Sequence, residues 1–266
     1  MSVVFAAIAP HGSIAVAEAC SEDELPLAAA TRAGLEELGS RFAAAEPEAT
    51  IVLTPHNVHI EGSMAVILAG QMEGEEPVPL ACPVDRELAL AALGALWEAD
   101  VPAVGVSFGG NDPLAASMPL DWGSLIPLWF MGRDEVAVVD VSPARDLPPE
   151  LHVRAGEAIA AAARKRVALI ASADHGHAHD PGGPYGFDPA AERYDRLAVE
   201  LVRENRLAGL SEVEPELVEA AKADSFWQML MLHGALGDGF DVELLSYECP
   251  TYFGMLCAAF APREED

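Results

Sequence analysis

Positive charge is what this chain has least of: 15 Lys and Arg stand against 43 Asp and Glu, a formal net charge of −28. A surface of that sign repels phosphate backbones and anionic headgroups, which argues against nucleic-acid binding and electrostatic membrane docking. Cysteine is equally sparse. Cys20, Cys82, Cys249 and Cys257 form no CxxC pair, and a chain this long needs no disulfide staples, so a reduced, cytoplasmic protein is the expectation. Apolar runs stay well short of the ~20 residues that a membrane-spanning helix requires. The opening MSVVFAAIAPHG has no Lys or Arg before its hydrophobic run and meets Pro10 and His11 too early for a signal peptide. Internal repeats, coiled-coil heptads and low-complexity linkers are missing as well, and the acidic tail REED at 263–266 reads as solvated.

Core material, by contrast, is plentiful. At 51% hydrophobic residues and a mean hydropathy of +0.20, global disorder is excluded. Apolar runs at 3–9, 50–53, 65–68, 103–107, 136–141 and 167–171 read as strands buried on both faces. Between them, 25–44, 85–98, 149–164 and 189–204 have helical composition and spacing, with Asp188 as N-cap before Pro189 in the first turn. This alternation predicts one α/β domain over 1–266, with a central, mostly parallel or mixed sheet flanked by helices.

The eight histidines fall in informative places. His11 follows the first predicted strand, His56 the second, with His59 three residues on. His175, His177 and His179 follow the strand ending near Ser172, in the Gly- and Pro-rich stretch HGHAHDPGGPYGF, where 181–186 could close over a pocket as a lid. Ligands of open α/β sheets bind beyond the carboxyl ends of the strands, and neutral imidazole is a common metal ligand. A metal site is therefore the leading reading. Two histidines need an anionic partner, and Asp224 stands at the start of the apolar helix 226–236, where its bland role would be to cap that helix. His152 reads as exposed on its helix, and His233 as a partly buried helical residue.

The ordered set PHG (10–12), TPH (54–56), DWGSLIPL (121–128), SADHGH (172–177) and ADSFWQMLMLHGAL (223–236) resembles the class III extradiol ring-cleavage dioxygenases, proteins similar to the catalytic subunit of protocatechuate 4,5-dioxygenase. The resemblance implies an Fe(II) site, with zinc or another divalent metal as the alternative. Its ligands would be His11, His56 and Asp224, with Glu248 in SYECP as the fallback carboxylate. Matching Ser172 and Asp174 to the family's central pattern makes His177 the acid/base, with His175 an extra imidazole beside it. Several relatives carry a substrate-touching His where this chain has Trp122, so Trp122 and His59 are candidate substrate contacts. The partners implied are a small aromatic diol and O2, in a homo-oligomer or with a small helical subunit. The chain's charge favours a neutral catechol over an anionic one.

Two other classes stay open. The run HGHAHD has a superficial likeness to the HxHxDH cluster of zinc hydrolases, although His179 and Asp180 stand in the reverse order. Memo-like proteins share the extradiol-dioxygenase fold in signalling or accessory roles without established dioxygenase activity.

Overall fold

Strands whose side chains are apolar on both faces must be covered on both, and this chain supplies two helical layers to do so. The computed structural model describes residues 2–132 and 136–263, so most of the acidic tail lies outside the described residues. Its strands are β1 (Val3–Ala9), β2 (Ala49–Leu53), β3 (Met64–Ile67), β4 (Gln71–Gly74), β5 (Leu80–Pro83), β6 (Ala103–Val106), β7 (Ser117–Pro119), β8 (Ala137–Ser142), β9 (Val167–Ser172), β10 (Phe240–Glu248) and β11 (Met255–Pro262). The helices are α1 (Ala29–Ala45), α2 (Arg86–Glu98), α3 (Trp122–Phe130), α4 (Pro149–Ala162), α5 (Pro189–Arg203), α6 (Pro215–Ala221) and α7 (Phe226–Leu236). Among the described residues, eight strands form one sheet in the order β10–β11–β1–β9–β2–β8–β3–β6, and β5–β4–β7 form a small second one.

Adjacent strands β1, β9, β2 and β8 are parallel, while β11 joins β1, and β3 joins β8, in antiparallel register. The sheet is therefore mixed, as the strand–helix alternation predicts. Along β1 the pleat sends Phe5, Ala7 and Ala9 to the layer of α1 and α3, and Ala6 and Ile8 to the layer of α2, α4, α5 and α7. Within that second layer α4 and α7 meet almost backbone to backbone. A Cβ on Gly156 would run into the Met231 carbonyl, and one on Gly234 into that of Val153.

Side-chain caps fix two helix starts, one of them the Asp188 cap that the sequence suggests. Asp188 accepts from the Ala190 N–H at 2.8 Å, and Asp85 from the Leu88 N–H at 3.1 Å. No helix among the described residues is long and apolar enough to cross a membrane. Because β1, β9, β2 and β8 run the same way, their carboxyl ends share one edge. The segments leaving them carry His11, His177, His56 and Arg145.

Candidate metal centre

At that edge the Nε2 atoms of His11 and His56 lie 3.1 Å apart, and Asp224 Oδ2 is 3.4 Å from each. The three offer ligand atoms all within 4.8 Å of one another. Each comes from a different element. His11 leaves β1, His56 leaves β2, and Asp224 precedes α7, whose first turn is tied to β9 by Gln228 donating to the Ser172 and Asp224 carbonyls at 3.0 and 2.8 Å.

Neighbours orient these side chains. His11 donates its backbone N–H to Asp174 Oδ1 at 3.0 Å, and its Nδ1 lies 2.9 Å from Ser172 Oγ, which, with Nδ1 donating, leaves Nε2 its lone pair. Arg145 donates to Asp224 Oδ1 at 2.5 Å and to the Pro55 carbonyl at 3.2 Å, and its guanidinium lies 5.0 Å from the Trp227 ring centroid. One Asp224 oxygen is thus anchored. The other, Oδ2, is buried without a hydrogen-bond partner among the described residues.

Charge follows the same pattern. Burial pulls the His11 pKa down, but the nearby carboxylates of Asp174 and Asp224 outweigh it and leave the group raised. Burial pushes Asp224 up, yet His11, His56 and Arg145 prevail and hold it well below the usual carboxylate range. Two imidazole nitrogens, one orphaned carboxylate oxygen and an anchoring cation fit a divalent metal; the donor set is that of a facial triad.

The centre opens on a cavity of about 740 Å³. His56, His59, Arg145 and Asp224 line it with His177, Tyr185, Glu219 and Lys222, and Leu147, Val218, Phe226 and Trp227 supply apolar wall. His177 donates Nδ1–H to the His175 carbonyl at 2.8 Å, an acceptor that cannot donate, so Nε2 is left as the free lone pair. Its ring stacks on Phe253 at 5.2 Å and meets Tyr185 edge-on at 5.7 Å. Burial and the Arg145 charge lower His59.

Other expected residues lie elsewhere. His175 is fully buried beside Tyr194, with no hydrogen-bond partner for its ring nitrogens among the described residues, and it does not line the cavity as a second imidazole. Glu248 is not a ligand in waiting: its Oε1 accepts the Thr31 N–H at 2.6 Å and caps α1. Trp122 packs against the His56 ring at 4.9 Å but is absent from the cavity wall. His152 is buried, not exposed, and donates from Nδ1 to the Pro148 carbonyl at 3.1 Å. His233 is half-buried on α7, as its apolar surroundings suggest. Of the lid segment, Tyr185 reaches the cavity. Arg145, Trp227 and Lys222 escaped the sequence reading; the one signal for Arg145 was its place three residues after a strand end.

A 254-residue alignment, covering 90% of this chain, is 26% identical to Protein CA_C1420 of Clostridium acetobutylicum. The chain spans about half (53%) of that relative's length. The crystal structure of the uncharacterized protein JW3007 from Escherichia coli K12 superposes with a TM-score of 0.63 at 16% identity, over 96% of this chain and 99% of that one, a likeness of fold. Residues 5–260 match the catalytic LigB subunit of aromatic ring-opening dioxygenase. With that match over nearly its whole length, the chain belongs to the LigB family.

Proposed function

We propose that the protein is an Fe(II)-dependent extradiol dioxygenase, which opens a catechol-like ring and adds both atoms of O2 to the product. The observation that carries this reading is one cavity lined both by His56 and Asp224, two members of the three-residue cluster with His11, and by His177 with a free Nε2. A divalent iron held by the three residues would offer neighbouring positions to the diol oxygens and to O2. His177 accepts a hydroxyl proton of the diol at Nε2 and returns it to the opened product. The apolar wall of Leu147, Val218, Phe226 and Trp227 seats the ring and sheds water.

Local charge leaves the preference for a neutral catechol in place. Arg145 and Lys222 face the cavity although the chain as a whole carries −28, and the only other lysine, Lys165, is engaged by Asp85. In the cavity the two cations are matched by Asp224, which pairs with Arg145, and by Glu219, so a neutral diol remains favoured.

Metal analysis with oxygen uptake on neutral and anionic catechols tests the reading. Bound iron with uptake supports it. Zinc with hydrolysis and no uptake moves the protein to the hydrolase class; neither activity points to an accessory role.

A further inference from the structure

A second buried carboxylate stands behind His177, outside the metal cluster. Asp195 projects from the inner face of α5 and is 1% exposed. It accepts from the Gly176 N–H at 2.7 Å, from His179 Nε2 at 2.8 Å and from the Tyr247 hydroxyl at 2.7 Å. Residues 176 and 179 flank His177 on the chain, so the carboxylate holds both sides of the segment that presents the imidazole. The same segment is fastened on its other side: His175 N–H to the Gly254 carbonyl at 2.8 Å, Gly254 N–H to the Gly176 carbonyl at 3.1 Å, and His177 N–H to the Ala221 carbonyl at 2.8 Å.

One peptide unit matters most. The Gly176 N–H that Asp195 accepts and the His175 carbonyl that receives His177 Nδ1–H belong to the same peptide group. In a trans peptide these two bonds point in opposite directions along one polarisable unit. The chain of contacts runs carboxylate, peptide N–H, peptide C=O, imidazole Nδ1–H. A charge at one end strengthens the acceptor at the other, because hydrogen bonds in series polarise one another in a low-dielectric interior. The seat is also built for this carboxylate. A Cβ on Gly176 would press on Asp195 Oδ1 and on Ala191, and one on Gly254 would strike Asp195 Oδ2.

We infer that Asp195 is the positioning carboxylate of His177, acting through the 175–176 peptide group to fix the ring in its Nδ1–H form with Nε2 free. It takes the place a directly bonded carboxylate holds beside a catalytic imidazole, with a peptide inserted between. The inference rests on His177 as the proton acceptor of the proposed dioxygenase, but its primary readout does not need that activity.

The test is 15N NMR of the full chain loaded with Zn(II), which keeps the centre diamagnetic, with kinetics of the iron form alongside. Native His177 should be mainly the Nδ1–H tautomer. Asp195→Asn keeps the shape and an oxygen for Gly176 but removes the charge; it should raise the Nε2–H population. In the iron form kcat should fall roughly 10–100-fold, the range for losing an orienting partner, with metal content and KM within about twofold. Tyr247→Phe takes one donor from the same carboxylate and should leave tautomer and kcat within about twofold. A native His177 in the Nε2–H form, an unchanged tautomer in Asp195→Asn, or equal losses in both variants would overturn the inference. Should Asp195→Asn not fold, couplings across the two hydrogen bonds in the native protein decide, and the lack of either one refutes it. A normal tautomer response without ring cleavage on any catechol would sink the dioxygenase reading alone.

Discussion

Asp224 and Asp140 are two carboxylates buried almost equally, 6% and 0% exposed, yet their surroundings give them opposite characters. Asp224 sits at the carboxyl edge of the sheet between His11, His56 and Arg145, which hold its pKa well below the usual range against the pull of burial. Asp140 lies on β8, opposite Val52 of β2. Among the described residues its partners are the Ser124 hydroxyl at 2.7 Å and the Asn57 amide at 3.2 Å, both on Oδ2, and Oδ1 has none there. Burial, aided by the negative charge of Asp121, pushes it up to about 8. Burial alone therefore does not make a ligand; the two imidazoles and the Arg145 guanidinium that converge on Asp224 do. Its neighbours hold one carboxylate toward its charged form, and burial pushes the other toward its neutral form inside the sheet.

The sharpest way to break this contrast is to remove each member of the cavity in turn. Asp224→Ala should lose most bound metal and with it nearly all turnover, whereas His177→Ala should keep the metal and lose roughly 10²–10⁴-fold in turnover, the span for a general acid/base. Metal content by mass spectrometry, read beside oxygen uptake, separates the two. A metal-replete, active Asp224→Ala protein would show that the cluster is not the centre.

Arg145 tests how the charged state of Asp224 is maintained. Arg145→Gln removes the partner of Oδ1 while His11 and His56 stay in place, so the carboxylate can turn away from the cluster. Metal affinity should weaken roughly 10–100-fold, as for other outer partners of ligands. Titration with a competing chelator measures it; an affinity unchanged from the native protein would assign Arg145 to substrate alone.

Legibility in the sequence followed the same division. The central strands and their covering helices could be read because a strand buried on both faces is an unbroken apolar run, as in residues 3–9 and 167–171. His11, His56 and Asp224 could be read because strand ends deliver ligands and a motif order tied them together. The carboxyl-terminal pair could not: β11 is rich in alanine and lacks strand character, and β10 is half exposed, with Asp241 and Glu243 among its apolar residues. The small sheet of β4, β5 and β7 has only three or four residues per strand. Asp195, Arg145 and Glu248 act through contacts 16 to 217 residues away in the chain, and no local pattern encodes such pairings. His152 was misplaced although its helix has a polar face: Glu150, Arg154 and Glu157 are exposed at helical spacing, and His152 falls on the opposite, buried side.

A smaller effect is expected at Asp140, read through pH. Its folded pKa of about 8 lies above the ordinary carboxylate value. Between the two the unfolded chain has released the proton and the folded one retains it, so this group lowers stability as pH rises, by about 1.4 kcal/mol per pH unit at most. Asp140→Asn removes that dependence. Its melting temperature relative to the native protein should climb steadily from pH 5 to pH 8 and level off above. A constant difference across that range would mean that Asp140 is ionised in the fold, and the contrast with Asp224 would fail.

The smallest effect belongs to the surface, where neither buried carboxylate takes part. A net charge of −28 on one chain repels itself, and raising ionic strength from about 0.01 M to about 0.15 M shortens the Debye length from about 30 Å to about 8 Å. Melting temperature should therefore rise by a few degrees with NaCl. Because salt reaches exposed charges and barely reaches buried ones, the same rise should appear in Asp140→Asn, and its slope against pH should stay as in low salt. A fall in melting temperature with NaCl would show that attractive pairs such as Arg41–Glu243 and Arg263–Asp241 outweigh the repulsion. A pH slope that vanished with salt would place the titrating group on the surface and not at Asp140.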